Sequence, residues 1–141
     1  PYRAFADVRT AGLELTLAAD LSVDGRFDPR PLPAPQAVAS ADGYEVTKAG
    51  GGEAGLLTFT VRHGGEPVTA LQPYLGARGH LVAIRAGDLA YAHVHPAPSG
   101  SSDPTIAFHA ELAAAGTYRL FLQFRHRDGV RTVAFTEEVP K

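Results

Sequence analysis

Apolar and polar residues alternate in short runs along most of this 141-residue chain, and Gly, Pro, Asp and Ser separate the runs. A helical period is almost absent: only Leu112–Ala115 hints at a turn, and Gly116 ends it. Side chains of a strand point to opposite faces in turn, so this pattern predicts strands with one buried face, arranged as a sandwich or barrel. Tyr2–Val8 and Leu13–Val23 read as a hairpin. In its second arm Leu13, Leu15, Leu17, Ala19, Leu21 and Val23 share one face, and Glu14, Thr16 and Asp20 the other. Residues 24–42 carry Pro29, Pro31, Pro33 and Pro35 and read as an extended linker, because proline cannot donate to a ladder. Residues 43–141 then supply strands at Tyr44–Lys48, Gly55–His63, Pro67–Leu71, Gly79–Arg85, Leu89–His95, Thr105–Leu112, Thr117–Arg125 and Val130–Val139. That number of short strands in about 100 residues is what an immunoglobulin-like antiparallel sandwich needs. The expected fold is all-β: a hairpin (1–23), a Pro-rich linker (24–42) and a sandwich (43–141).

The chain also repeats itself. Shifted by 116, Tyr2–Val23 lies on Tyr118–Val139 without a gap, and seven positions are identical: Tyr2/Tyr118, Arg3/Arg119, Phe5/Phe121, Arg9/Arg125, Thr16/Thr132, Ala18/Ala134 and Val23/Val139. Either residues 1–23 are the last hairpin of a preceding, similar domain in a tandem array, or they are two extra strands of this one. A chain that opens at Pro1, directly before a strand, reads as a processed product or a fragment. A lone hairpin is marginally stable. Its apolar face is therefore expected on the main sandwich, or in a homodimer or domain-swapped contact through residues 1–23.

Composition removes many chemistries. Without cysteine there are no disulfides, Cys-ligated zinc or thiol catalysis, and without methionine no thioether ligand. A net charge of −2 without a basic stripe speaks against nucleic acid as a partner. No apolar run approaches the roughly 20 residues of a membrane span.

The remaining chemistry lies in six histidines, His63, His80, His93, His95, His109 and His126. Gly87-Asp88 fits a two-residue hairpin loop. That register sets His80 opposite His95 and Val82 opposite His93, with opposed Cβ atoms about 4.5–5.5 Å apart. His80, His93 and His95 thus form a candidate facial site for Cu²⁺ or Zn²⁺, with Asp103 as a fourth, oxygen ligand. The same residues could instead be a hydrogen-bonded rim that orders the loop 96–104, or a pH switch where imidazoles are forced together. His63 and His126 read as exposed turn residues, and His109 as pointing outward from a strand whose inward set is Ile106, Phe108, Ala110 and Leu112. No catalytic site is expected. Ser99, Ser101 and Ser102 beside Asp103 lie in a loop that offers neither an ordered nucleophile nor an oxyanion hole, and Glu137 and Glu138 face opposite ways on one strand.

Four stretches together resemble a group of bacterial secreted or membrane-anchored β-sandwich proteins: Leu71-Gln72-Pro73-Tyr74-Leu75-Gly76-Ala77, Gly79-His80-Leu81-Val82, His93-Val94-His95-Pro96 and Gly116-Thr117-Tyr118-Arg119-Leu120-Phe121. The group is largely of unassigned function, and some members are described as candidate metal-binding proteins. Tyr2-Arg3-Ala4-Phe5 is similar to the group's Tyr-Arg-x-Phe strand. The resemblance implies an extracytoplasmic setting and an immunoglobulin-like or cupredoxin-like sandwich, with His80, His93 and His95 at the group's histidine positions. It carries no catalytic activity. The function expected is storage, sensing or delivery of copper or zinc, and the alternative is a metal-free structural or interaction module of a multidomain surface protein.

Overall fold

The computed structural model describes residues 2–51, 55–92, 94–98, 103–112 and 114–140, and these form an all-β protein. It divides into two compact units, residues 1–31 and 32–141.

The first unit holds the hairpin β1 (Tyr2–Thr10) and β2 (Leu13–Leu21). Ala11 and Gly12 connect them, both at positive φ (47° and 82°), as the tight turns that match strand twist require. Tyr2 pairs with Leu21 and Thr10 with Leu13.

The second unit is an antiparallel β-sandwich. One sheet has the order β3 (Val38–Ala41), β4 (Tyr44–Gly50), β5 (Leu56–His63), β10 (Thr105–Ala110), β9 (Val94–Pro96), and the short β6 (Glu66–Pro67) pairs beside β5. The other has the order β12 (Gly129–Val139), β11 (Gly116–His126), β7 (His80–Arg85), β8 (Tyr91–Ala92). The alternation seen in sequence becomes burial. Leu57, Phe59 and Val61 of β5, Ile106, Phe108 and Ala110 of β10, Tyr118, Leu120, Leu122 and Phe124 of β11, and Val133 and Phe135 of β12 are all buried in one core. Phe59 packs on Phe108 within its own sheet (ring centroids 6.0 Å apart) and on Phe135 across the sandwich (5.5 Å).

The expected elements need three corrections. Val38–Ala41 falls in the stretch read as linker, yet it pairs with β4 across an Asp42-Gly43 turn at φ 52° and 78°. The prolines stop at Pro35, so donors are available from Gln36 onward, and Asp-Gly is itself a strong hairpin signal. The strand expected over Pro67–Leu71 is only Glu66–Pro67. The chain then leaves for the other sheet, where the Gln72 amide donates to the Arg125 carbonyl at 2.8 Å. The strand expected over Leu89–His95 is divided between the two sheets.

One end of the core is closed by charge. Lys48 lies opposite core-facing Phe59, and Glu137 opposite core-facing Tyr118, so both point between the sheets. They form an ion pair with side chains only 10% and 13% exposed. Gly51, at φ 107°, fits beneath it: a Cβ there would lie 2.8 Å from Oε1 of Glu137. Glu138, on the other face, accepts from the Thr117 hydroxyl at 2.9 Å, so the two glutamates do point apart.

Removing one partner of such a part-buried pair leaves a charge without compensation, which costs about 1–3 kcal/mol. Glu137→Gln is expected to lower the unfolding free energy obtained from urea titration by that amount, with a corresponding fall in the midpoint, and the double change Lys48→Met/Glu137→Leu to recover most of the loss. An unchanged midpoint in Glu137→Gln would contradict this role.

Candidate functional site: the histidines of the sandwich

The β7–β8 hairpin keeps the register read from sequence. Ala83 pairs with Ala92 and Ile84 with Tyr91, and the Arg85 amide donates to the Ala90 carbonyl at 2.8 Å. Asp88 fixes the turn. Its carboxylate accepts from the Arg85 guanidinium (3.1 and 2.5 Å) and from the Ala90 amide (3.1 Å), and the Arg85 contact above all holds its pKa down at about 2.

After Ala92 the chain changes sheets. Val94–Pro96 pairs with β10, setting His95 opposite His109, Val94 opposite Ala110 and Pro96 opposite Phe108. His80 pairs with Gln123 of β11 instead. Leu81 and Ala83 are buried, so His80 belongs to the outer face of the four-stranded sheet. His95 and His109 are exposed on the outer face of the larger sheet, next to Leu56, which pairs with His109 on β5. His109 points outward, as its strand's alternation requires, and Leu112, the last residue of the expected inward set, packs against the core just past the end of β10. Asp103 has local work. Its carboxylate accepts from the Thr105 amide at 2.8 Å, and its carbonyl accepts from the Arg78 guanidinium. His93, Ser99, Ser101 and Ser102 lie outside the described residues. Among the described residues, no group of three or more His, Asp or Glu side chains is placed to hold a metal ion. The ladder of β7 and β8 is limited to Ala83–Ala92 and Ile84–Tyr91. His95 has His109 as its ladder partner.

The structure assembles a second cluster from residues read as exposed turns. His63 and His126 are the last inward-facing positions of β5 and β11, continuing Leu57, Phe59, Val61 and Leu120, Leu122, Phe124. They meet over the buried ring of Tyr44, with ring centroids 6.4 Å apart. Tyr44 lies 4.5 Å from the His63 ring and 5.7 Å from that of His126. Its oxygen is 2.9 Å from Nδ1 of His126, and with that imidazole neutral and protonated on Nε2, the hydroxyl donates. Arg131 covers the same ring at 5.7 Å and reaches toward Asp42, 3.9 Å away. The two sheets are thus joined by an ion pair at one end and by an aromatic–histidine cluster at the other. The signal was present in sequence: both histidines stand in phase with long period-2 runs.

Residues 39–141 match the family model described as Domain of unknown function (DUF8832). The chain belongs to this family. No curated protein and no solved structure matches it. The DUF8832 match begins inside β3 and takes in all six histidines, and the hairpin of residues 2–21 lies outside it.

In this DUF8832 domain, burial first, then the charges of Arg127, His63 and Arg131, lowers the pKa of His126 below the ordinary 6.5. The unfolded chain therefore takes the proton first. Stability is full above about pH 6.5, falls as the pH drops through that value, and levels off below the folded-state pKa. Urea midpoints measured from pH 8 to pH 5 should show this fall, and His126→Gln should flatten it. A slope unchanged in His126→Gln would assign it elsewhere.

Proposed function

We propose that this DUF8832 chain is a non-catalytic β-sandwich module of a multidomain extracytoplasmic protein, acting through association with neighbouring modules. The observation that carries the reading is the repeat. The hairpin of residues 2–21 recurs as β11–β12, and in both copies the first strand pairs with the second in the same register: Tyr2↔Leu21 corresponds to Tyr118↔Glu137, and Thr10↔Leu13 to His126↔Gly129. A sandwich that is self-contained from β3 to β12, preceded by a copy of its own last hairpin, is the arrangement expected of repeated domains. The tandem reading thereby gains over the reading of two extra strands. The extracytoplasmic setting rests on the resemblance of residues 71–77, 79–82, 93–96 and 116–121 to secreted and surface-anchored sandwich proteins.

Residues 32–141 produced alone should then unfold cooperatively within a few degrees of the whole chain's Tm, since the hairpin adds little to their stability. A chain of residues 32–141 that fails to fold would contradict the modular reading.

The pair His95–His109 supports a second reading, capture of Cu²⁺ or Zn²⁺ on the outer face of the larger sheet. Two imidazoles directly opposite on antiparallel strands lie close enough to share one ion. His93 stands two residues before His95 in sequence and completes the ligand set in this reading. Calorimetric titration should give binding near one ion per chain that His95→Ala and His109→Ala each weaken at least about tenfold, the effect expected for loss of a ligand. His80→Ala should leave it unchanged. Absence of binding, or equal loss in His80→Ala, would remove this reading.

A further inference from the structure

The hairpin of residues 2–21 matches β11–β12 in its side-chain contacts as well as its register. On the outer face of the first, Arg3 bonds its cross-strand partner Asp20 (Nε–Oδ1 2.6 Å), and Thr16 donates to Asp7 (2.7 Å). At the corresponding places of the second, Arg119 donates to Thr136 (2.9 Å) and Gln123 to Thr132 (3.4 Å). Two hairpins can share an alternation by chance. Sharing the register, an outer-face arginine bonded across the strands and a second cross-strand bond four residues further along is a much narrower coincidence.

The inner faces differ in what covers them. In β11–β12, Tyr118 is 3% exposed and Val133 is 2% exposed beneath the six-stranded sheet. Their counterparts Tyr2 and Leu17 are 64% and 57% exposed, and Leu13, Leu15 and Leu21 stand open beside them. Six large apolar side chains on one face of an isolated hairpin, Tyr2, Val8, Leu13, Leu15, Leu17 and Leu21, make a patch that monomeric proteins rarely leave in water.

We propose that this face is the missing half of a second core, and that its occupant is the inner face of a β-sheet equivalent to β3–β4–β5–β10–β9, carried by a preceding copy of the domain in the same polypeptide. The inference rests on the modular reading above and names its partner. Two observations favour that occupant over a second molecule of this chain. The Tyr118 hydroxyl donates to the Ala114 carbonyl, four residues upstream, at 2.9 Å, a corner contact familiar in sandwich domains. Tyr2 holds the equivalent position, and in a preceding copy of the domain its hydroxyl would find the equivalent acceptor four residues upstream. In addition, Ala4, Ala6 and Ala19 stand where β11–β12 has Leu120, Leu122 and Phe135. Interiors are close-packed, so the sheet that meets the hairpin must present bulkier side chains there than this chain's own sheet does. A diverged copy of the domain can supply them.

The chain has no cysteine, so a single introduced thiol reports its own surroundings. Leu17→Cys lies on the exposed inner face and Thr16→Cys on the outer face. Each is made in the 141-residue chain and in the full-length gene product, and labelled with a maleimide. The proposal expects Leu17→Cys to react on the order of a hundredfold more slowly in the full-length product than in the 141-residue chain, as burial in a neighbouring core requires. Thr16→Cys should react alike in both. Equal rates for Leu17→Cys in the two proteins would overturn the proposal, as would a full-length product that begins at Pro1. Slow labelling of Leu17→Cys already in the 141-residue chain would also overturn it, by showing that residues 32–141 or a second molecule cover the face. None of these outcomes depends on whether residues 32–141 fold alone, so the proposal and the modular reading can fail separately.

Discussion

The stacking of the β11–β12 hairpin on the larger sheet is the contact on which the remaining structure depends. Phe59 is its centre, touching Phe108 beside it and Phe135 across the sandwich, with Leu57, Leu120 and Leu122 fully buried around them. A two-stranded hairpin is marginal by itself, and burial of one face against a second layer makes it permanent. The ends follow from that contact. Once the two inner faces are in register, Lys48 and Glu137 are brought together at one end and Tyr44, His63 and His126 at the other. Polar groups can close a core where strands run out, because each finds a partner on the opposite sheet.

The passage from β8 to β9 governs the chemistry of the surface. One nearly continuous stretch serves both sheets: Tyr91–Ala92 completes the ladder with β7, and Val94–Pro96 borders β10. A strand that changes sheets changes the neighbours of every residue beyond the change. His95 leaves the face of His80 and meets His109, which belongs to a strand that is distant in sequence.

Much of this was legible beforehand. The all-β class, most strands, the outward aim of His109 and the β7–β8 register follow from period-2 alternation and from Gly87-Asp88, all local signals. What could not be read is nonlocal. Nothing in Leu89–His95 states that its two halves will pair with different sheets, since both halves carry strand-like alternation and that choice is made by packing. The cluster at Tyr44 is an intermediate case. His63 and His126 were in phase with buried runs, but adjacent turn glycines and Arg127-Asp128-Gly129 suggested exposure, and the phase was the better guide. Asp42-Gly43 was equally readable and was obscured by the prolines before it. The repeat, in contrast, was visible in seven identities, and the shared register gives it physical content.

Two hairpins of the same register differ in exposure: Tyr118 and Val133 are buried under the larger sheet, whereas their counterparts Tyr2 and Leu17 are exposed. Amide hydrogen exchange along the 141-residue chain tests this difference most directly. Amides in β11–β12 are expected to exchange only through unfolding of the whole sandwich, and those of β1–β2 at least about a thousandfold faster. Comparable protection in the two hairpins would contradict it.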